Sequence, residues 1–146
     1  MAGFENTVTI TRPVEEVFTY LADAGNLPQW NYAIEQTRKI SPGPVGVGTL
    51  CRQTRTLPGR SQEDFEIVVF RPPGQLALDG TSGPFRARAS YLLEPAASGT
   101  KLTSKWDLQP TSASLRLLGP LAIPTVKSAV AENLRTLKQI LENVRG

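Results

Sequence analysis

Close to the C-terminal end, Val126, Val130, Leu134, Leu137, Leu141 and Val144 recur at steps of four, four, three, four and three residues. A helix with about 3.6 residues per turn puts such positions on one face. Lys127, Ala131, Arg135, Lys138 and Glu142 occupy the opposite face, which should look at water. From about Pro124 to Val144 this predicts a helix of roughly 20 residues, about 30 Å long. An apolar stripe of that length needs a broad apolar surface to lie on. Asn133 falls among the apolar positions by angle. Burying its amide without partners costs roughly 1–3 kcal/mol, so it either bonds a loop backbone, sits at the helix margin or meets a ligand in a cavity.

The rest of the chain supplies the surface. Phe4 to Ile10 alternates as a half-buried strand, with Phe4, Val8 and Ile10 on one side. Pro13, Glu15 and Glu16 open a helix in the way the helix dipole favours, and Val14, Val17, Phe18 and Leu21 form its stripe. That helix is expected to end near Asp23–Gly25 with Gly25 as its cap, before a second short helix or turn from Leu27 to Tyr32. Strands are then expected over Ile34–Ile40, Thr49–Leu57, Gln62–Phe70, Gln75–Thr81, Phe85–Glu94 and Thr100–Gln109. Turns separate them: the Gly- and Pro-rich loop Ser41–Gly48, Leu57–Arg60 in a type II pattern, Pro72–Gly74, Ser82–Pro84 and Pro95–Gly99. Successive strands with short turns make an antiparallel meander, and the first strand can add to an edge. Leu115, Leu117, Leu118 and Leu121 mark a packed lid or helical lead-in, set off from the main helix by Pro120 and Pro124. The reading is a curved antiparallel sheet gripping the terminal helix, with a small-molecule cavity between them.

Composition narrows the chemistry. With 146 residues, 40% apolar and 20% charged, the chain is expected to form one soluble domain over 1–146. The net charge of +3 is spread along the sequence, so nucleic acid is not the expected partner. Arg52, Arg55 and Arg60, with Arg86 and Arg88, read as solvated strand faces. No basic segment followed by an apolar run marks a signal peptide, and no apolar run approaches the roughly 20 residues of a membrane span; a cytoplasmic location is the expectation. The single cysteine, Cys51, excludes an internal disulfide and a Cys-based zinc site. With no histidine, neither a Ser-His-Asp or Cys-His arrangement nor a His-ligated metal can form. Acid–base work would fall to a carboxylate, Lys or Tyr with a strongly shifted pKa. No metal or cofactor is expected, and nothing in the sequence bears on oligomeric state.

The order strand, helix, short helix, six strands, long helix resembles the START-like (SRPBCC) superfamily. "ITRPVEEVFTYLADAGNLPQW" resembles that family's opening, "VGVGT" its glycine-rich loop and "LLEPAASGTKLTSKWDL" its penultimate hairpin; "LKQILENV" is similar to its terminal helix. The resemblance covers essentially the whole chain and is nearest to the polyketide cyclase/dehydrase and lipid-transport branch. It implies an α+β helix-grip fold: a curved antiparallel sheet of about seven strands wrapped around a long C-terminal helix, with two short helices after the first strand. It also implies a cavity for apolar lipid-, sterol- or polyketide-like ligands.

The candidate ligand-binding set follows from helix face and strand parity. It comprises Val126, Val130, Asn133 and Leu134 on the helix, and Phe65, Ile67, Val69, Ala89, Tyr91 and Trp106 on the strands. Trp30 and Tyr32 either close the mouth or fill space under the first helix, two roles that look identical in sequence. Small residues such as Ala87, Ala89 and Ser104 leave space opposite the helix, and Tyr91 offers a hydroxyl on an apolar wall. Ser41–Gly48 is a candidate gate, since its glycines permit motion and its prolines limit it. Three functions compete: binding of an apolar small molecule, a cofactor-free polyketide cyclase or dehydratase working in the same cavity, and an interaction module whose cavity has collapsed. No catalytic residue is singled out.

Overall fold

The computed structural model describes residues 2–57 and 59–143, with side chains for these except 2 and 113–122. The expected type II turn contains Pro58 and so lies, with Val144, outside the described residues; the side chains of Leu115, Leu117, Leu118 and Leu121 lie outside them too. Strand β1 (Ala2–Ile10) leads to α1 (Val14–Ala22), a 3-10 turn at Ala24–Asn26 and α2 (Leu27–Trp30). Glu15 and Glu16 sit in the first turn of α1, and Val17, Phe18 and Leu21 are its buried face. The end of α1 differs from expectation. Asp23 is extended there and its Oδ1 accepts the Gly25 N–H at 3.0 Å, so Gly25 lies inside the 3-10 turn and is not the cap. The Asp23 carboxylate serves as the N-terminal cap of the 3-10 turn that follows, satisfying one of its free N–H groups.

Six strands follow: β2 (Ile34–Lys39), β3 (Leu50–Arg55), β4 (Ser61–Arg71), β5 (Gln75–Ser82), β6 (Phe85–Ala96) and β7 (Gly99–Pro110). They run as an antiparallel meander, and β1 adds to the free edge of β7, giving the order β1-β7-β6-β5-β4-β3-β2. Register shifts interrupt β2 between Ile34 and Gln36 and β4 between Ile67 and Val69. Such bulges bend and twist a sheet locally.

The last element, α3 (Ala113–Asn143), is longer than the helix expected from Pro124. Its backbone runs back through Pro124 and Pro120, so the lead-in is helical and continuous with the main helix. Each proline removes one backbone hydrogen bond without ending the helix. Val130, Leu134, Leu137 and Leu141 are buried in the main core with Ile10, Leu76, Leu93 and Leu102. Full burial of such side chains contributes about 1.5–3 kcal/mol each, which makes the helix–sheet contact the main source of stability.

Polar contacts pin the C-terminal end of α3. Arg12 Nε donates to Leu141 O at 2.8 Å and Arg12 Nη2 to Glu142 O at 3.4 Å. These satisfy carbonyls that a helix end leaves without intrahelical partners. The Thr11 N–H donates to Glu142 Oε2 at 2.9 Å, while Lys138 Nζ reaches Thr9 O at 2.6 Å and Glu142 Oε2 at 2.7 Å. Thr100 Oγ1 donates to Arg12 O at 2.7 Å, tying the β6–β7 hairpin to the same corner. Gly99 has φ 149, and a Cβ there would press on Ile10 O and come within 2.7 Å of Arg12 N.

Two outcomes are expected. Gly99→Ala should lower the unfolding free energy by about 2 kcal/mol or more in urea titration, through strain and backbone displacement. The second concerns acid. The Lys138 ammonium, followed by the Thr11 N–H, holds the Glu142 carboxyl below its ordinary value of 4.5. A carboxyl depressed in the folded state contributes stability above its unfolded value and loses it as pH falls through the folded one. Glu142→Gln should therefore be less stable than wild type at pH 7, and the gap should close below about pH 4.5 as followed by urea unfolding across pH.

Candidate functional site

The cavity exists because of three small residues on the concave face. Phe65 of β4 pairs with Gly80 of β5, Gly80 with Ala87 of β6, and Ala87 with Leu108 of β7. In the next inward-facing row Ile67 pairs with Leu78, Leu78 with Ala89, and Ala89 with Trp106. Gly80, Ala87 and Ala89 thus form a shallow floor walled by Phe65, Leu78, Tyr91 and Trp106. Gly80 is required for the crossing itself, because a Cβ would meet Asp64 O and come within 2.7 Å of Phe65 Cα. Trp106 is held off the floor: its ring stacks on Phe4, with centroids 6.2 Å apart and planes 7° apart, and its Nε1 donates to Ser104 Oγ at 3.0 Å. Leu27 and Trp30 of α2 and Val130 and Asn133 of α3 cover the space, leaving a cavity of about 70 Å³. A smaller one of about 20 Å³ adjoins it and shares the walls Leu27, Trp30, Phe65, Leu78 and Tyr91.

Of the residues expected at a binding site, Trp30, Phe65, Ala89, Tyr91, Trp106, Val130 and Asn133 line the larger cavity. Ile67 faces the smaller one. Leu134 is 2% exposed and belongs to the core below, and Val126 packs toward Phe85, Ala87 and Leu108. Val69 does not face either interior space. The bulge after Ile67 reverses the parity of β4, so Val69 pairs with Ala77 on the outer face and Phe70 turns inward, edge-on to Phe18 at 5.5 Å. Tyr32 does not close the mouth either. It is 56% exposed and lies beside Pro124 and Ser128 of α3. The loop 41–48 is away from both cavities and is tied back by Gly46 N to Thr49 Oγ1 and Gly48 N to Ile67 O, each at 2.9 Å.

A polar end wall was not anticipated. Arg55, read from sequence as solvated, turns inward; its side chain is 14% exposed and that of Glu63 only 3%. Arg55 Nε donates to both Glu63 oxygens at 2.9 Å, and Nη2 donates to Ser82 Oγ at 3.1 Å. Gln53 Nε2 donates to Glu63 Oε1 at 2.9 Å, and the Gly83 N–H to Oε2 at 2.6 Å. Arg55, Gln53 and Ser82 line the cavity while Glu63 sits behind them. The sequence held one signal for this: Glu63 shares parity with Phe65 and Ile67, which puts it on the concave face. Arg52 and Arg60, by contrast, pair outside with Asp64 and Glu35, and Arg86 and Arg88 with Asp79.

Three other lining residues carry polar groups that are not fully hydrogen-bonded among the described residues. The Trp30 indole Nε1 is buried and makes no hydrogen bond among the described residues. Asn133, 7% exposed, accepts the Tyr32 N–H on Oδ1 at 3.4 Å, and its Nδ2 makes no hydrogen bond among the described residues. The Tyr91 hydroxyl has no hydrogen-bond partner among the described residues, and burial pushes its pKa up, so at neutral pH it is a phenol and a donor. Among the described residues, no group of three His, Cys, Asp or Glu side chains is placed to hold a metal ion.

A curved sheet holding a C-terminal helix over an interior cavity is a helix-grip fold. A family model described as polyketide cyclase/dehydrase and lipid transport matches residues 1–142, and the chain belongs to that family of the START-like superfamily. Among solved structures, the di-domain ARO/CYC StfQ from the steffimycin biosynthetic pathway is similar at 16% identity and TM-score 0.79. That match covers 96% of this chain and 50% of StfQ. A Deinococcus radiodurans protein is similar at 16% identity and TM-score 0.69, with 97% of this chain and 98% of that one covered. Ara h 8.0201 is similar at 17% identity and TM-score 0.65, with 93% and 97% covered. No curated protein matches the sequence. Among the described residues, no helix is long and apolar enough to cross a membrane.

Because the Tyr91 hydroxyl has no partner among the described residues, Tyr91→Phe should leave the folded protein within about 0.5 kcal/mol of wild type, or more stable, in urea unfolding.

Proposed function

We propose that this chain, read as one START-like domain over 1–146, binds an apolar small molecule in the cavity between the sheet and helices α2 and α3. One observation carries the reading: an apolar chamber lined by Phe65, Ala89, Tyr91, Trp106 and Val130 also holds a buried Trp30 N–H with no partner among the described residues. A polar group left in that state is costly, and a ligand acceptor removes the cost. Apolar walls with a few directed polar groups are the usual make-up of small-molecule sites. The family description, which names both polyketide cyclases and lipid transport, supports the same class.

Size limits the ligand. Sites for drug-sized molecules typically measure roughly 300–1,000 Å³, against the 70 Å³ here. A cavity of about 150 Å³ is what holds a single benzene ring, so any ring compound would have to part α2 and α3 from the sheet, and a compact one would part them less than a long acyl chain. The presence of this space also weighs against an interaction module with a collapsed interior.

A second reading, cyclase or dehydratase action in the same cavity, draws on Tyr91. As a phenol it would polarise a carbonyl by hydrogen bonding and would not abstract a proton. The similarity to the StfQ di-domain is in keeping with this reading.

Native mass spectrometry of the freshly purified protein, set against its denatured spectrum, tests the binding reading. A discrete mass released on denaturation is expected. Ala89→Phe, which fills the floor, should retain or gain stability and lose that mass. If the filled variant still carries it, the ligand lies elsewhere. Turnover of a ring-forming substrate, abolished by Tyr91→Phe with binding intact, would move the assignment to the enzyme.

A further inference from the structure

We propose that the β2–β3 end of the sheet, away from the ligand cavity, docks onto the surface of an anionic lipid bilayer. Seven large apolar side chains are exposed among the described residues, and four of them, Ile40, Val45, Val47 and Leu50, belong to this one hairpin. Val47 is the most exposed of all, at 69%. Single apolar residues scattered over a surface need no explanation, whereas a cluster of them marks a contact. Ile40 and Leu50 are cross-strand neighbours, joined by the Ile40 N–H to Leu50 O at 2.8 Å, and the loop between them carries the two valines. That loop is held in one shape. Ser41 O accepts Lys39 Nζ at 2.6 Å, Ser41 Oγ accepts the Leu50 N–H at 2.9 Å, and the Gly46 and Gly48 N–H groups reach Thr49 Oγ1 and Ile67 O. A hairpin fixed in this way has little conformational entropy left to lose when its valines are buried.

Size and charge decide the partner. A stable protein interface uses roughly 20–30 residues a side, far more than four side chains at the end of a hairpin. A bilayer asks for no complementary shape: apolar side chains enter between the headgroups, and cations beside them stay with the phosphates. The cations are present. No Asp or Glu occurs between Glu35 and Glu63, a stretch that holds Arg38, Lys39, Arg52, Arg55 and Arg60. Arg55 is turned inward to Glu63, and Arg60 is paired with Glu35. Arg38 and Lys39 are exposed next to Ile40 and have no carboxylate partner among the described residues. Arg52, directly opposite Arg38, is bound to Asp64 through two hydrogen bonds. Glu66, opposite Leu50 on β4, is the acid beside the apolar patch. Arg38, Lys39 and Arg52 outnumber Asp64 and Glu66, so the local surplus is positive and favours an anionic surface.

Co-sedimentation with unilamellar vesicles tests this, with phosphatidylcholine alone and with phosphatidylcholine mixed with phosphatidylserine, both at low salt. Wild type should sediment with the mixed vesicles and several-fold more weakly with the neutral ones. Val45→Asp combined with Val47→Asp should lower binding about tenfold or more. Arg38→Gln should lower binding to the mixed vesicles about fivefold and leave the neutral ones unchanged, and Glu66→Gln should raise it. These side chains are exposed, so thermal melts should stay at the wild-type value; Val47→Ser alone serves if the double variant fails to fold. Val47→Cys carrying an environment-sensitive fluorophore should shift to the blue on the mixed vesicles, and Leu57→Cys, at the β3–β4 end, should not; Cys51 is buried and escapes labelling. Wild type that stays in solution with both vesicles, or that sediments equally well after the double aspartate change, overturns the proposal. So does a concentration-dependent dimer that the double variant loses, seen without vesicle binding, which would make the patch a contact between copies of this chain. None of these outcomes touches the ligand-cavity reading.

Discussion

Seven antiparallel strands in one sheet present an apolar concave face, and a single helix has to cover it. The sheet cannot turn that face to another sheet, because the chain has spent its strands on one layer. Every other feature answers to this contact. The helix is long because the face is wide. The β4 bulge bends the sheet, because a flat sheet would touch a helix along one line only. The short α1 and α2 close the part of the concavity that α3 does not reach.

Imperfect covering is what makes the site. A row of Leu or Val in place of Gly80, Ala87 and Ala89 would fill the space and add about 1.5–3 kcal/mol of burial per side chain. The chain forgoes that and, among the described residues, leaves the buried Trp30 N–H without a partner as well. Such choices lower stability and are found where a site must stay open. The Glu63 cluster sits at the same spot, where one carboxylate receives donors from Gln53, Arg55 and Gly83. Its loss would leave a buried guanidinium without its counterion.

Much of this was legible in the sequence because it rests on local rules. Gly and Pro marked most of the turns, strand ends fell close to their observed places, and parity put Ala87, Ala89 and Tyr91 on the concave side. The period of the last helix named Val130, Leu134, Leu137 and Leu141 as its buried stripe. What escaped is non-local. Phe65, Ile67 and Val69 continue an alternation, and only pairing with β5 shows that a residue is inserted between the last two. Arg55 reads as a surface charge because its partner, Glu63, is on another strand and their joint burial cannot be seen from either alone. Tyr32 looked like a lid because aromatic residues after a short helix often are; its direction depends on how the chain leaves α2 for β2.

The uneven fastening of α3 gives the molecule a mechanical asymmetry. Arg12, Thr11 and Lys138 clamp the stretch around Leu141 and Glu142 to the end of β1. Toward the other end, the Asn6 side chain reaches Lys127 O at 3.3 Å, and apolar packing carries Ile123 and Val126. The helix is a cantilever with its root at the β1 corner. Among the described residues, deflecting the span from Ile123 to Val130 costs mainly apolar contact, which a hydrophobic guest restores on entering, whereas deflecting the root breaks charge-assisted bonds that no guest replaces. Compliance is thus concentrated over the span that roofs the chamber.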